Sequence, residues 1–162
     1  VAQNNVRDRA GGAIDDVDAA IIEQLQRDAR IPNNQLAERV GIAPSTCIAR
    51  VRSLVDRGVV TGFEARVDPA ALGLGLQALI SVSVRSGARH RMAEFSAEMR
   101  RMPDVLQLFF LGGSEDFILH IAARDSAHVR DFVLEHLSAH PFVASTRTSM
   151  VFEHVSRAVT IP

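Results

Sequence analysis

The stretch Asn33–Gly62, NNQLAERVGIAPSTCIARVRSLVDRGVVTG, decides the fold of the first half of the chain. Leu36, Ala37 and Val40 fall at i, i+1 and i+4, the single apolar stripe of a short helix. Gly41 ends that helix, because glycine takes the left-handed cap conformation without steric cost. Ile42 plugs the turn, and Pro44 stands in the first turn of a second helix, where its missing N–H goes unnoticed. Cys47, Val51, Leu54 and Val55 then recur at i, i+4, i+7 and i+8, which reads as the buried stripe of that helix. Its other face carries Ser45, Thr46, Ala49, Arg52 and Ser53. Small residues let a helix approach base edges closely, and arginine reaches guanine or phosphate. Gly58 closes the helix, and VVTGFEARV (59–67) reads as a strand that begins a wing. Two helices, a tight turn and a strand make a DNA-reading helix-turn-helix. A plain helical hairpin with a solvated face shares this periodicity. Ala43 also stands where a serine or threonine cap is expected, a loss of about 1 kcal/mol.

The chain has 162 residues, enough for one ordinary domain or two small ones, and 47% of them are apolar, enough for a sizeable core. No apolar run approaches the roughly 18 residues that cross a bilayer. The opening VAQNNVRDRAGG lacks the apolar stretch of a signal peptide and reads as a polar tail over 1–13. The single cysteine excludes an intramolecular disulfide, and its place on the core stripe suits a small buried hydrophobe in a reducing cytoplasm. A net charge of −1 gives no global signal for nucleic acid. Its distribution does: between Ala43 and Arg66, Arg50, Arg52, Arg57 and Arg66 outnumber Asp56 and Glu64. Every cationic side chain of the Lys/Arg class is arginine, a coding bias that says nothing of bidentate contacts.

A helix from about Asp15 to Asp28 precedes the hairpin. Asp15 caps it, Asp16 and Asp18 suit its positive end, and Ile14, Val17, Ile21, Ile22 and Leu25 form its apolar face. Pro32 with Asn33 and Asn34 separates it from the next helix. The winged helix-turn-helix therefore spans 14–62, and 63–75 makes a linker strand and hinge. From 76 to 162 the pattern changes. Gln77–Val84 is strand-like, His90–Met102 helical through Met92, Phe95 and Met99, and Val105–Leu111 an apolar strand. Glu115–Ala123 alternates, Ser126–Ser138 is helical through Val129, Phe132, Val133, Leu134 and Leu137, and Val143–Val155 is strand again. The fold class is α+β: the winged unit followed by a ferredoxin-like βαββαβ domain, its central hairpin turning at Gly112–Asp116. Two helices on one face of such a sheet leave the other face bare, which predicts a dimer.

Three segments together closely resemble the leucine-responsive and asparagine-responsive regulators, the Lrp/AsnC family. They are IDDVDAAIIEQLQRDAR, LAERVGIAPSTCIARVRSLVDRGVVTGFEARVDPAALG and LGGSEDFILHIAARD, and the likeness runs from about Ile14 to Val155. It implies a transcription regulator that binds double-stranded DNA and is dimeric through its C-terminal sheets. Dimers of the family assemble to tetramers or octamers and bind an amino acid or related small molecule in the clefts between them. Ser45, Thr46, Ala49, Arg50, Arg52 and Ser53 match the family's DNA-facing helix. Gly112, Gly113, Ser114, Glu115, Asp116 and Phe117 match its effector loop, with Phe117 where the family commonly has tyrosine. Glycine N–H groups suit a carboxylate there, and Glu115 or Asp116 an ammonium. The same residues also suit a plain hairpin with Asp116 as its cap. Thr146 and Thr148 add hydroxyls on the last strand, or are ordinary edge threonines.

Catalytic signatures are absent from the sequence, and no cofactor is implied. His90, His120, His128, His136, His140 and His154 are scattered, without metal-site spacing. His136 and His140 are four apart, yet Pro141 places them at a helix end, where histidine meets the dipole. The enzyme alternative is a sirohaem decarboxylase, which shares the two-domain plan and for which His120 and His154 lie on strands. An effector-independent DNA-organising protein of the same plan is the other. The reading surface from Ser45 to Arg52 favours the regulator over the enzyme.

Overall fold

The computed structural model describes residues 13–155, apart from the side chain of Arg89. The tail expected over 1–13 lies outside them but for Ala13, as does the end of the second domain, 156–162. The described residues form two units, 13–66 and 67–155, each with its own core.

In the first unit α1 spans Asp16–Arg27, α2 Asn33–Val40 and α3 Pro44–Asp56. Asp15 caps α1, its carboxylate accepting the Asp18 N–H at 2.7 Å. The core gathers Ile21, Ile31, Leu36, Ala37, Cys47 and Leu54, with Val51 partly buried against it. Gly41, at φ +77°, ends α2. The Ile42 N–H reaches the Ala37 carbonyl at 3.0 Å and the Gly41 N–H that of Glu38 at 3.2 Å, the paired bonds of a Schellman turn. Gly58, at φ +68°, closes α3 in the same way through Val59 to Leu54 and its own N–H to Val55. Two expectations are corrected here. Val55 is 42% exposed, since eight residues past Cys47 the helix has turned about 80° off the buried stripe. Likewise, 59–67 forms no strand: an extended segment needs a ladder partner, and none pairs with it among the described residues.

The second unit begins with a 3-10 turn at Pro69–Leu72 and continues into β1 (Leu76–Val84). A second 3-10 turn, Ser86–Arg91, leads into α4 (Met92–Met99). Next come β2 (Val105–Phe110), β3 (Phe117–Ala123) and α5 (Ser126–Phe132), which runs on as a π-helical turn over Val133–Ser138 before β4 (Val143–Val151). The strands lie in the order β2-β3-β1-β4, every neighbouring pair antiparallel. This is the split arrangement expected of a ferredoxin-like sheet. The last strand stops short of Val155, because Gln77, next to the start of β1, already pairs with Val151. Glu115 and Asp116 belong to the turn rather than to β3.

Period-two patterning places Ala78, Ile80, Val82 and Val84 of β1 on one face, all buried. They pack with Leu119 and Ile121 of β3 against Phe95, Met99, Val129, Phe132 and Leu137. Leu134, expected on the buried side of its helix, is exposed where α5 has passed into the wider π-helical turn. Among the described residues of this unit no helix covers the other face of the sheet, which shows Leu79, Phe109 and Ile118 to differing degrees.

Among the described residues three glycines are left-handed, at 41, 58 and 73, and Gly112 and Gly113 are not among them. Gly41→Ala is therefore expected to lower stability by about 1 kcal/mol through strain at its positive φ. Gly112→Ala, with open space around the new methyl, leaves stability unchanged. Urea midpoints followed by far-UV circular dichroism separate the two.

Candidate nucleic-acid interface and effector turn

Helix α3 is held at its start from α2, where the Asn33 side-chain amide donates to the Pro44 carbonyl at 3.0 Å. This tie stands where Ala43 supplies no side-chain cap. Ser45, Thr46, Ala49, Arg52 and Ser53 are all exposed, and so is Ile48, an apolar neighbour that the sequence did not single out. The Arg52 side chain makes no ion pair or hydrogen bond among the described residues.

Arg50 lies elsewhere. One of its terminal nitrogens donates to Asp15 Oδ2 at 2.7 Å and to Asp18 Oδ1 at 2.8 Å, while Arg57 donates to Asp18 Oδ2 at 3.3 Å. Asp18 is only 5% exposed. The Asp18 N–H, then the Arg50 guanidinium, hold the Asp15 carboxyl below the usual carboxylate range, and the two aspartates raise Arg50 in return. Arg50 thus faces α1 and stands apart from the five exposed residues grouped with it in the sequence. The signal was present: Arg50 and Arg57 are two helical turns apart, and Asp15 and Asp18 share the first turn of α1.

The hairpin turn divides its residues between surface and interior. Gly112, Gly113 and Ser114 are exposed. Glu115 accepts from the Ser114 hydroxyl at 2.6 Å and from Arg147 at 3.2 Å, and these partners hold its carboxyl below its ordinary value. Asp116 turns inward: its carboxylate accepts the Val84 N–H at 2.7 Å and its own N–H donates to the Val82 carbonyl at 3.0 Å. It fastens the turn to β1, the capping role that the sequence left open. Phe117 is 1% exposed, its ring 5.1 Å from that of Phe95 and 5.2 Å from that of Phe110. A residue so placed is core.

Thr146 pairs with Val82 and Thr148 with Ile80, so both lie on the helix-covered side of edge strand β4. Thr148 borders a groove of about 280 Å³ with Ser126, Val129, Val133, Leu134 and Met150. Phe117 also pairs with Val82, from the other side of β1. Thr148 is therefore two strands across and two residues along from Phe117, about 12 Å by sheet spacing, and farther still from Gly113.

Only His120 and His154 come together, and no group of three or more potential metal ligands forms among the described residues. His140 bonds to Glu98 at 3.2 Å and packs on Phe95 and Phe142, whereas the His136 ring meets Phe132. His120 shares a 2.8 Å hydrogen bond with the Gln77 amide oxygen and lies 5.3 Å, ring to ring, from His154. Burial, then the neighbouring His154, lowers the pKa of His120. The unfolded chain takes up that proton near the ordinary value of about 6.5, whereas the folded chain does so only at lower pH. Stability is therefore expected to fall as pH drops below about 6.5. His120→Gln should flatten that decline, a difference that urea midpoints between pH 5 and pH 7 resolve.

Comparison with known proteins gives these geometries a setting. A family model described as the Lrp/AsnC ligand binding domain matches residues 77–161, and a winged helix-turn-helix DNA-binding model matches 14–61. The HTH-type transcriptional regulator AldR of Mycolicibacterium smegmatis is 54% identical over 145 residues, 90% of this chain and 85% of the relative. The crystal structure of MtbAldR, from Mycobacterium tuberculosis, is similar at TM-score 0.78 and 46% identity, covering 91% of this chain and 97% of that one. A transcriptional regulator from Neisseria meningitidis, solved as its L-Met complex, is similar at TM-score 0.83 and 35% identity, covering 93% and 97%.

Proposed function

The chain belongs to the Lrp/AsnC family of DNA-binding transcriptional regulators, and we propose that it reads DNA through α3 and answers to an amino acid. The observation that carries the first part is the exposed face of Ser45, Thr46, Ala49, Arg52 and Ser53, opposite the buried Cys47 and Leu54. Short side chains bring the helix close to base edges, and Arg52 supplies the long, charged reach into the major groove. Among the described residues no helix is long and apolar enough to cross a membrane. A cytoplasmic site of action follows from the DNA-reading role proposed for α3 and not from that absence. If Arg52 meets a phosphate, Arg52→Ala flattens the log-log salt dependence by about 1. If it meets a base, the change costs roughly 1–3 kcal/mol of discrimination. Fluorescence anisotropy with labelled duplexes over a salt series distinguishes them, and unchanged affinity and slope overturn the assignment.

The L-Met complex of the Neisseria relative supports an amino-acid effector. The turn supports it as well. Gly112 and Gly113 have ordinary backbone angles and open space, so the fold itself does not require glycine there. A ligand carboxylate approaching their N–H groups would require it. Glu115, kept ionised, is the acceptor for the ammonium, since Asp116 is committed to Val84. The turn reaches β4 through Glu115 and Arg147, but Thr148 lies on the opposite face of that strand from Arg147. A site using both takes the turn from one copy and the β4 groove from another. Gly113→Val is expected to abolish the heat of binding in calorimetry against the twenty amino acids, while leaving DNA affinity without ligand intact. Absence of any heat with the wild-type chain removes the amino acid from this reading.

The bare sheet face fits a homodimer, with further association to tetramers or octamers. Leu79 of β1 is exposed there, and so is Phe109 of β2, at 46%, with β3 running between their strands. A two-fold dimer places two reading helices on half-sites about one helical turn, or a multiple, apart. Phe109→Asp puts a charge into that contact, and light scattering should then show monomer. A persistent dimer relocates the interface.

A further inference from the structure

Asp18 is a carboxylate almost entirely removed from water, in the first turn of α1, and its two oxygens are taken by Arg50 of α3 and by Arg57, the residue that caps α3. We infer that Asp18 is the positioning residue of the DNA-reading helix, acting through Arg50 and Arg57, and that Arg50 makes no contact with DNA. This rests on the reading of α3 as the DNA-facing helix.

A buried charge must be paired, so the chain tolerates only arrangements of α3 that keep both oxygens bonded. Arg50 and Arg57 are seven residues apart, on one side of α3 and separated by two turns. Anchors at two heights fix the rotation and the slide of the helix together, where one anchor would leave a pivot. Asp15 adds a second bond to the same Arg50 nitrogen. Asn33 secures the other end at Pro44. Two carboxylates and two guanidiniums also sum to no net charge, so the cluster adds little attraction for phosphates. Arg52, two residues from Arg50, points about 200° away around the helix. Its base or phosphate contact tolerates little error in distance or angle, and the cluster fixes both.

The test uses the full-length chain, a duplex selected from a random pool by the wild type, and a scrambled duplex of equal composition. Asp18→Asn removes a negative charge near DNA, so charge alone predicts tighter binding to both duplexes at an unchanged ratio. Positioning predicts instead that the ratio of selected to scrambled affinity falls about tenfold or more, while scrambled affinity holds or rises and the salt slope is no flatter. Asp15→Asn keeps an N-cap side chain and is expected to lose a few-fold of the ratio. Arg50→Ala lowers the ratio without flattening the slope. All variants are measured well below their melting temperatures, so a purely structural role leaves the ratio unmoved. Should Asp18→Asn fail to fold, Asp15→Asn and Arg50→Ala decide the matter. An unchanged ratio in both, or a slope flattened by about 1 in Arg50→Ala, overturns the inference. If Arg52→Ala lowers the ratio while the cluster variants do not, only this inference falls. If the wild type selects no sequence and Arg52→Ala is silent, the reading of α3 falls and takes the inference with it.

Discussion

The first unit is organised around a carboxylate that cannot be left alone. Asp18 is buried at the start of α1, and Arg50 of α3 with Arg57, just past its end, makes that burial tolerable. The small apolar core of Ile21, Leu36, Cys47 and Leu54 supplies cohesion but is non-directional. A helix packed by such residues alone can roll by several degrees without losing much contact. Charge-assisted hydrogen bonds are directional and do not allow that. The division of labour follows: apolar residues bring α3 to the core, and the ion cluster sets how it lies.

The second unit solves a different problem, that of keeping a turn in place at the end of two strands. Asp116 does so with two bonds to β1, one through its carboxylate and one through its N–H, and Phe117 sinks a ring into the core immediately after. Gly112 and Gly113, a few residues earlier, are left at the surface with no such duty. A rigid base beneath a chemically open rim suits a site whose ligand comes from outside the chain.

Most of the fold was legible because it depends on local pattern. The glycines at 41 and 58, Pro44 at the start of α3 and the alternation along β1 each name one conformation. What was not legible depends on what lies opposite. The segment 59–67 has the composition of a strand, but a strand exists only where a second one pairs with it. Val55 and Leu134 fit an apolar stripe by count and miss it by angle. At the candidate site the same limit operates. Ser45, Thr46, Ala49, Arg52 and Ser53 were readable as an exposed face, because exposure follows from the position of Cys47 and Leu54. Arg50 was grouped with them by motif, although its spacing from Arg57 and the paired Asp15 and Asp18, more than thirty residues earlier, carried a signal of its other role. Asp116 and Phe117 share a motif with Gly112 and Gly113, and motif membership does not say which way a side chain points.

The ordinary backbone angles at Gly112 and Gly113 have a consequence for how such a protein can change over time. Where a glycine is demanded by its own φ, every substitution is taxed by lost stability before any gain in recognition can be tested. Here that tax is absent. Alanine variants at the rim are expected to fold as readily as the parent, so selection sees only what they admit or turn away. The turn is thus a place where ligand preference drifts independently of folding, and two chains with nearly superimposable sheets need not respond to the same metabolite.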